Sequence, residues 1–153
     1  MAEVKTFSGV DDLKANVGIT LGPTDWHEVT QEAVNQFADA TGDHQWIHVD
    51  VDRAKEGPFG GTIVHGYMTL SLIPMFSPML MEIANVKMGI NYGVDKVRFP
   101  HPNPVGSKVR ATATLAEVTD VALGARATWD WVIEAEGIEK PLCIARSLSV
   151  VVP

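Results

Sequence analysis

A carboxylate, two imidazoles and a carboxamide fall within Asp43-His44-Gln45-Trp46-Ile47-His48, a stretch introduced by Thr41-Gly42. A carboxylate and an imidazole on one turning segment can converge on a single water. One group then takes a proton while the other supplies or manages a second. Asp43 and His48 are the pair that this spacing singles out. Asp and His are also ordinary turn residues, and Gly42-Asp43 alone reads as the end of a helix. The stretch gains weight from a second one, Ile63-Val64-His65-Gly66-Tyr67. There Gly66 opens a long apolar run and stands near the unsatisfied N–H groups of a helix start.

Other chemistry is weaker. His44 and His48 are four residues apart and would share a helical face as metal ligands. Gly42 and Trp46-Ile47 argue against a helix there, and the chain has no His-Glu-x-x-His cluster, so no metal is expected. His65 reads as a structural hydrogen-bonding residue at a helix start, and His27 and His101 as residues of exposed polar loops. Ser71 and Ser77 lack the Gly-x-Ser-x-Gly setting of a hydrolase nucleophile. Gly57-Pro58-Phe59-Gly60-Gly61 has neither the lysine of a nucleotide P-loop nor dinucleotide spacing, and reads as a turn. Trp129 and Trp131 alternate with polar residues on a strand and are expected to pack.

The positioning elements follow from periodicity. Thr30 is placed to cap a helix from Gln31 to about Thr41, with Val34, Phe37, Ala38 and Thr41 on one face. Gly42 stops that helix and delivers Asp43 to a loop. Asp50 or Asp52 starts a short helix through Arg53-Ala54-Lys55. The run Tyr67 to Ile83 predicts a helix buried on most sides, which Pro74 should kink or break and Pro78 could break again. Upstream, Met1 to Leu21 opens as weak strand or coil, with a short helix from Asp11-Asp12 that ends by Gly18, and Asp25 to Val29 reads as extended.

From Lys87 onward the chain reads as strands. Lys87 to Phe99 gives one or two, divided at Gly89 or Gly93. His101-Pro102-Asn103-Pro104 is a loop. Lys108 to Thr119 alternates with Val109, Ala111, Ala113 and Leu115 on one face, and Ala125 to Glu136 and Pro141 to Val152 complete the set. A buried helix followed by long antiparallel strands is an α+β layout.

At 153 residues, 46% of them hydrophobic and 20% charged, the chain fits one globular domain over 1–153. A net charge of −7 disfavours nucleic acid and anionic membrane surfaces. It does not forbid an anionic ligand met by a local basic patch. No signal peptide is evident, and the apolar run is too interrupted to span a membrane. The single cysteine, Cys143, excludes an internal disulfide framework and fits a reducing, cytoplasmic setting.

Taken together, these stretches resemble the MaoC-like (R)-specific enoyl-CoA hydratases of the hotdog fold. That family carries Gly-Asp-x-Asn-Pro-x-His and then, after a loop, an apolar pair with His-Gly. Here they read Gly42-Asp43-His44-Gln45-Trp46-Ile47-His48 and Ile63-Val64-His65-Gly66, with Gln45-Trp46 in place of Asn-Pro. Asn91-Tyr92-Gly93, Val97-Arg98-Phe99-Pro100 and Pro104-Val105-Gly106 also look familial, so the resemblance spans about two thirds of the chain. It implies a single-domain hotdog, an antiparallel sheet wrapped around a long central apolar helix, and a homodimer. It implies reversible hydration of trans-2-enoyl-CoA to (3R)-hydroxyacyl-CoA. His48 would be the principal base, Asp43 its partner on the water, and the Gly66 N–H the oxyanion donor. No cofactor is implied beyond the coenzyme A of the substrate. A hotdog acyl-CoA thioesterase and a non-catalytic acyl-thioester-binding domain are the alternatives.

Overall fold

The computed structural model describes residues 3–153; of the opening strand-or-coil segment, residues 1–2 lie outside the described residues. In chain order the elements are β1 Lys5–Phe7, α1 Val10–Ala15, β2 Thr20–Leu21, β3 His27–Glu28, α2 Gln31–Thr41, α3 Trp46–Val49, α4 Val51–Lys55, β4 Ile63–Val64, α5 Gly66–Ser71, α6 Ile73–Leu80, β5 Met81–Ile83, β6 Met88–Arg98, β7 Asn103–Pro104, β8 Lys108–Val121, β9 Gly124–Ala135 and β10 Cys143–Val152. The main sheet runs β2-β8-β9-β10-β6 and is antiparallel, with β3 also on β8. Two small pairs tie the rest to it: β1 beside β5 in parallel, and β4 beside β7 antiparallel.

The alternation expected for β8 is observed: Val109, Ala111, Ala113 and Leu115 are fully buried. They share the sheet's inner face with Trp129, Trp131 and Ile133 of β9. Both tryptophans pack, Trp129 edge-on to Phe7 and Trp131 with its Nε1–H donated to Ser147 Oγ at 3.0 Å. Cys143 is buried, and burial pushes its thiol up to about 11.

The apolar run lies against this face, α5 on β10 and α6 on β8. It is not one long helix. Pro74 has no N–H to give the Leu70 carbonyl. The ladder therefore slips at Leu72, whose N–H reaches back only three residues to Thr69 and whose carbonyl accepts from Met75 and Phe76. Pro74 falls in the first turn of α6, where its missing donor is harmless, and Pro78 is carried inside α6. Burial is also less complete than expected: Met68, Ile73, Phe76 and Leu80 point inward, while Tyr67 and Met79 are exposed.

Of the one or two strands expected over Lys87 to Phe99 the structure has one, β6, which runs through Gly89 and Gly93 with a register shift against β10 between Gly93 and Asn91. Two further expectations change. His27 is no loop residue: it lies on β3 opposite Val109, half-buried, its ring edge-on to Phe76. Thr41 is exposed, so the buried face of α2 is Val34 and Ala38 with Phe37 beside them.

Candidate active site

The first wall of the site is the end of α2. Thr30 Oγ1 accepts the Ala33 N–H and caps the start of the helix. At the other end Gly42 adopts φ 82, the left-handed conformation that suits glycine, and its N–H closes on the Ala38 carbonyl. The chain then turns sharply, and Asp43 Oδ1 accepts the Gln45 N–H at 3.3 Å. This turn uses only the backbone of Gln45, so a glutamine stands where the family pattern has asparagine without changing that contact. Trp46 opens α3, with the Arg53 guanidinium 4.2 Å from its ring and Gly57 against it. Asp50 caps α4 by accepting the Arg53 N–H.

His48 is carried inward on α3 and is only 7% exposed. Its Nδ1–H donates to the Ile63 carbonyl at 2.7 Å. A carbonyl can only accept, so Nδ1 carries the hydrogen and, in the neutral ring, the lone pair is on Nε2. Gln31 holds the residue from behind. Its Nε2–H donates to the His48 carbonyl at 2.8 Å and its Oε1 accepts from Thr62 at 2.6 Å.

The second wall is the start of α5. His65 is 2% exposed, and its Nε2–H donates to the main-chain carbonyl of Asp43 at 2.9 Å. Its ring stacks on that of His48, centroids 3.9 Å apart. Asp43, His48 and His65 each place one heteroatom within 4.8 Å of the others, so the predicted pair is brought together and a third residue joins it. Asp43 keeps a half-exposed carboxylate, which leaves the pair a face open to solvent.

Gly66 follows directly as the first residue of α5. Its missing side chain has a packing cause: a Cβ there would lie 3.0 Å from the Phe99 ring. Behind it, Thr69 Oγ1 donates to the His65 carbonyl and accepts from the buried Asn103.

His44 lies outside this group. It is exposed and bonded to Asp39 at 3.0 Å, a contact that raises its pKa. It shares no site with His48. His101 is half-buried in its loop and donates to the neighbouring Pro102 carbonyl. The Asp43, His48 and His65 heteroatoms are close enough to meet one ion, and each ring spends one nitrogen on a carbonyl.

Two adjoining cavities open beyond Gly66 along α5 and α6. One of about 360 Å³ begins at Leu70 and Ser71, and one of about 340 Å³ continues past Ser77 to Met81. Both are walled by Ile73, Pro74, Asn91 and Ser147.

Sequence reasoning misses Gln31, Thr62, His65 and Asn103 as parts of this site. Only His65 carried a signal, its place before Gly66, and that was read as structural.

The family model described as MaoC like domain matches residues 12–129. The chain is 53% identical over 146 residues to 3-hydroxyacyl-thioester dehydratase Z of Mycobacterium tuberculosis, covering 95% of this chain and 97% of that protein. It is 40% identical to Nodulation protein N of Rhizobium leguminosarum, over 92% and 89% of the two chains. Among solved structures, the (R)-hydratase from A. caviae superposes with a TM-score of 0.70 at 22% identity, over 90% and 96% of the two chains, which shows the shared hotdog fold. The chain therefore belongs to the MaoC-like dehydratase family and is a hydro-lyase of that family.

Proposed function

We propose that the protein reversibly adds water across the double bond of a trans-2-enoyl-CoA, giving the (3R)-hydroxyacyl thioester. The observation that carries this reading is the Asp43–His48 pair with its free imidazole nitrogen. His48 Nε2 takes a proton from water as the oxygen bonds to C3, electrons move through C2 to the thioester oxygen, and the Gly66 N–H meets the charge there. A proton then reaches C2 from the Asp43–His48 pair, so one water is consumed and nothing else is released. No cofactor takes part beyond the substrate's coenzyme A. In the reverse direction the same groups remove water.

The acyl group is proposed to extend from Gly66 along α5 and α6, where the two cavities lie, in a chain read as one domain over 1–153. The proposal includes a homodimer. β6 is an edge strand, and Met88, Ile90, Tyr92 and Val94 on it are exposed. A bare apolar edge is a pairing surface. A partner there would also close the cavities that β6 walls. A cytoplasmic setting accords with a single free, buried thiol. Among the described residues no helix is long and apolar enough to cross a membrane.

The test is a panel of trans-2-enoyl-CoA thioesters, with loss of enoyl absorbance and release of free thiol followed together. The reading expects absorbance loss without thiol. Stoichiometric thiol release would replace it with the thioesterase reading. A coupled dehydrogenase specific for 3S-hydroxyacyl-CoA should stay silent, and turnover there would overturn the stereochemistry.

A further inference from the structure

His65 poses a physical problem. Its ring is buried, yet its Nδ1 has no hydrogen-bond partner among the described residues. A buried polar atom left unpaired is costly, and a phenylalanine or leucine would fill a similar volume without that cost. The ring packs as an apolar one would, between His48 at 3.9 Å and Phe37 at 4.8 Å. What sets imidazole apart from phenyl here is the other nitrogen, which reaches across 22 residues of chain to the Asp43 carbonyl.

That carbonyl belongs to a loop with few other restraints. Asp43 follows the left-handed Gly42, its side chain is half exposed, and its carboxylate has only long contacts, 3.3 Å to the Gln45 N–H and 3.9 Å to His65 Nε2 itself. His65 itself is fixed from below. Its carbonyl accepts both the N–H and the hydroxyl of Thr69, and Asn103 donates to that hydroxyl. Rigidity therefore passes from α5 through His65 to Asp43 and, by ring stacking, to His48.

We propose that His65 is the positioning residue of the pair: its Nε2–H sets the Asp43 main chain, and its ring face sets the plane of His48. The two imidazoles hold opposite tautomers in their neutral forms, hydrogen on Nε2 in His65 and on Nδ1 in His48. This inference rests on the hydratase reading for its kinetic test and stands apart from it for its spectroscopic one.

Two substitutions separate the donor from the ring. His65→Phe keeps a flat ring but removes the donor, whereas His65→Gln can place an N–H near the same carbonyl. His65→Phe should lower kcat about 10–100-fold, because a shift on the order of 1 Å in a reacting group costs about that much. KM should change little, for neither ring is assigned to bind coenzyme A. His65→Gln should recover most of the loss. Wild-type kcat in a folded His65→Phe protein, or equal losses in both variants, would overturn the proposal.

Long-range ¹H–¹⁵N spectra of the wild-type protein read the tautomers directly, whether or not either variant folds. Opposite tautomers support the proposal, and hydrogen on Nδ1 of His65 contradicts it. If the wild-type chain hydrates no enoyl thioester, the hydratase reading falls, and the spectra still decide whether His65 holds Asp43.

Discussion

The corner between α2 and α5 and the edge strand β6 are built on opposite principles. In the corner, polar side chains are buried and spent on one another: Gln31 on His48 and Thr62, His48 on Ile63, His65 on Asp43, Asn103 on Thr69. Along β6, apolar side chains stand in solvent, and on the side away from β10 the strand has no neighbour in the sheet among the described residues. Buried polar groups persist where they are satisfied and fix a geometry. Exposed apolar groups persist where something covers them. The contacts of the corner run within one chain and leave His65 Nδ1 and Asn103 Oδ1 unpaired among the described residues, whereas the free edge of β6 is bare.

The contrast can be broken from the corner first. Asp43→Asn should lower hydration about 10²–10⁴-fold, the usual contribution of a general acid–base group. Combining it with His48→Ala should cost far less than the product of the single losses, because groups acting as a unit are not additive. Multiplicative losses would show that the two do not share one water. His44→Ala should change the rate little, since His44 answers to Asp39 instead.

The edge is broken by charge. Ile90→Lys should turn a dimer into monomer at micromolar concentration by sedimentation, since a like charge repeated across a symmetric contact is unfavourable. An unchanged dimer would place the interface elsewhere.

A smaller effect tests the frame shared by both regions. Asp130 holds Arg146 across β9 and β10 through two contacts of 2.7 and 3.0 Å, and the guanidinium draws its pKa below the usual 3.8. A depressed carboxylate contributes stability above its unfolded pKa and loses it as pH falls through the folded one. Asp130→Asn should therefore lower Tm slightly near neutral pH, with the difference closing below about pH 3.8. The pair is partly exposed, so the loss should be at most about 1 kcal/mol. The smallest effect is expected at Cys143, which should stay unlabelled by thiol reagents in the folded protein because burial disfavours its thiolate.

How far the sequence could be read follows the range of the interactions. Thr30, Gly42 and Asp43 make contacts within four residues of their own positions, and motif spacing exposes them together with His48, although the bond that orients the His48 ring reaches 15 residues on to Ile63. The buried face of β8 is a local alternation and was equally legible. His65 and Asn103 act through contacts 22 and 34 residues long, and nothing in their neighbourhoods distinguishes a positioning histidine from a capping one. Gly66 was legible as a position, whereas the Phe99 ring that would crowd a side chain there, 3.0 Å from a Cβ, comes from the loop after β6 and was not. Gly89 and Gly93 left one strand or two open, because glycine weakens strands in general; the strand continues through both, with its pairing to β10 shifted in register between Gly93 and Asn91.

Asp43 and His48 are proposed to activate one water together. The most direct measurement is the hydration rate of a folded His48→Ala protein on the enoyl thioester that the wild type uses best, with folding checked by circular dichroism and thermal melting. The account predicts a loss of about 10²–10⁴-fold, or about 3–5 kcal/mol of barrier. Near-normal hydration by that folded variant would contradict it.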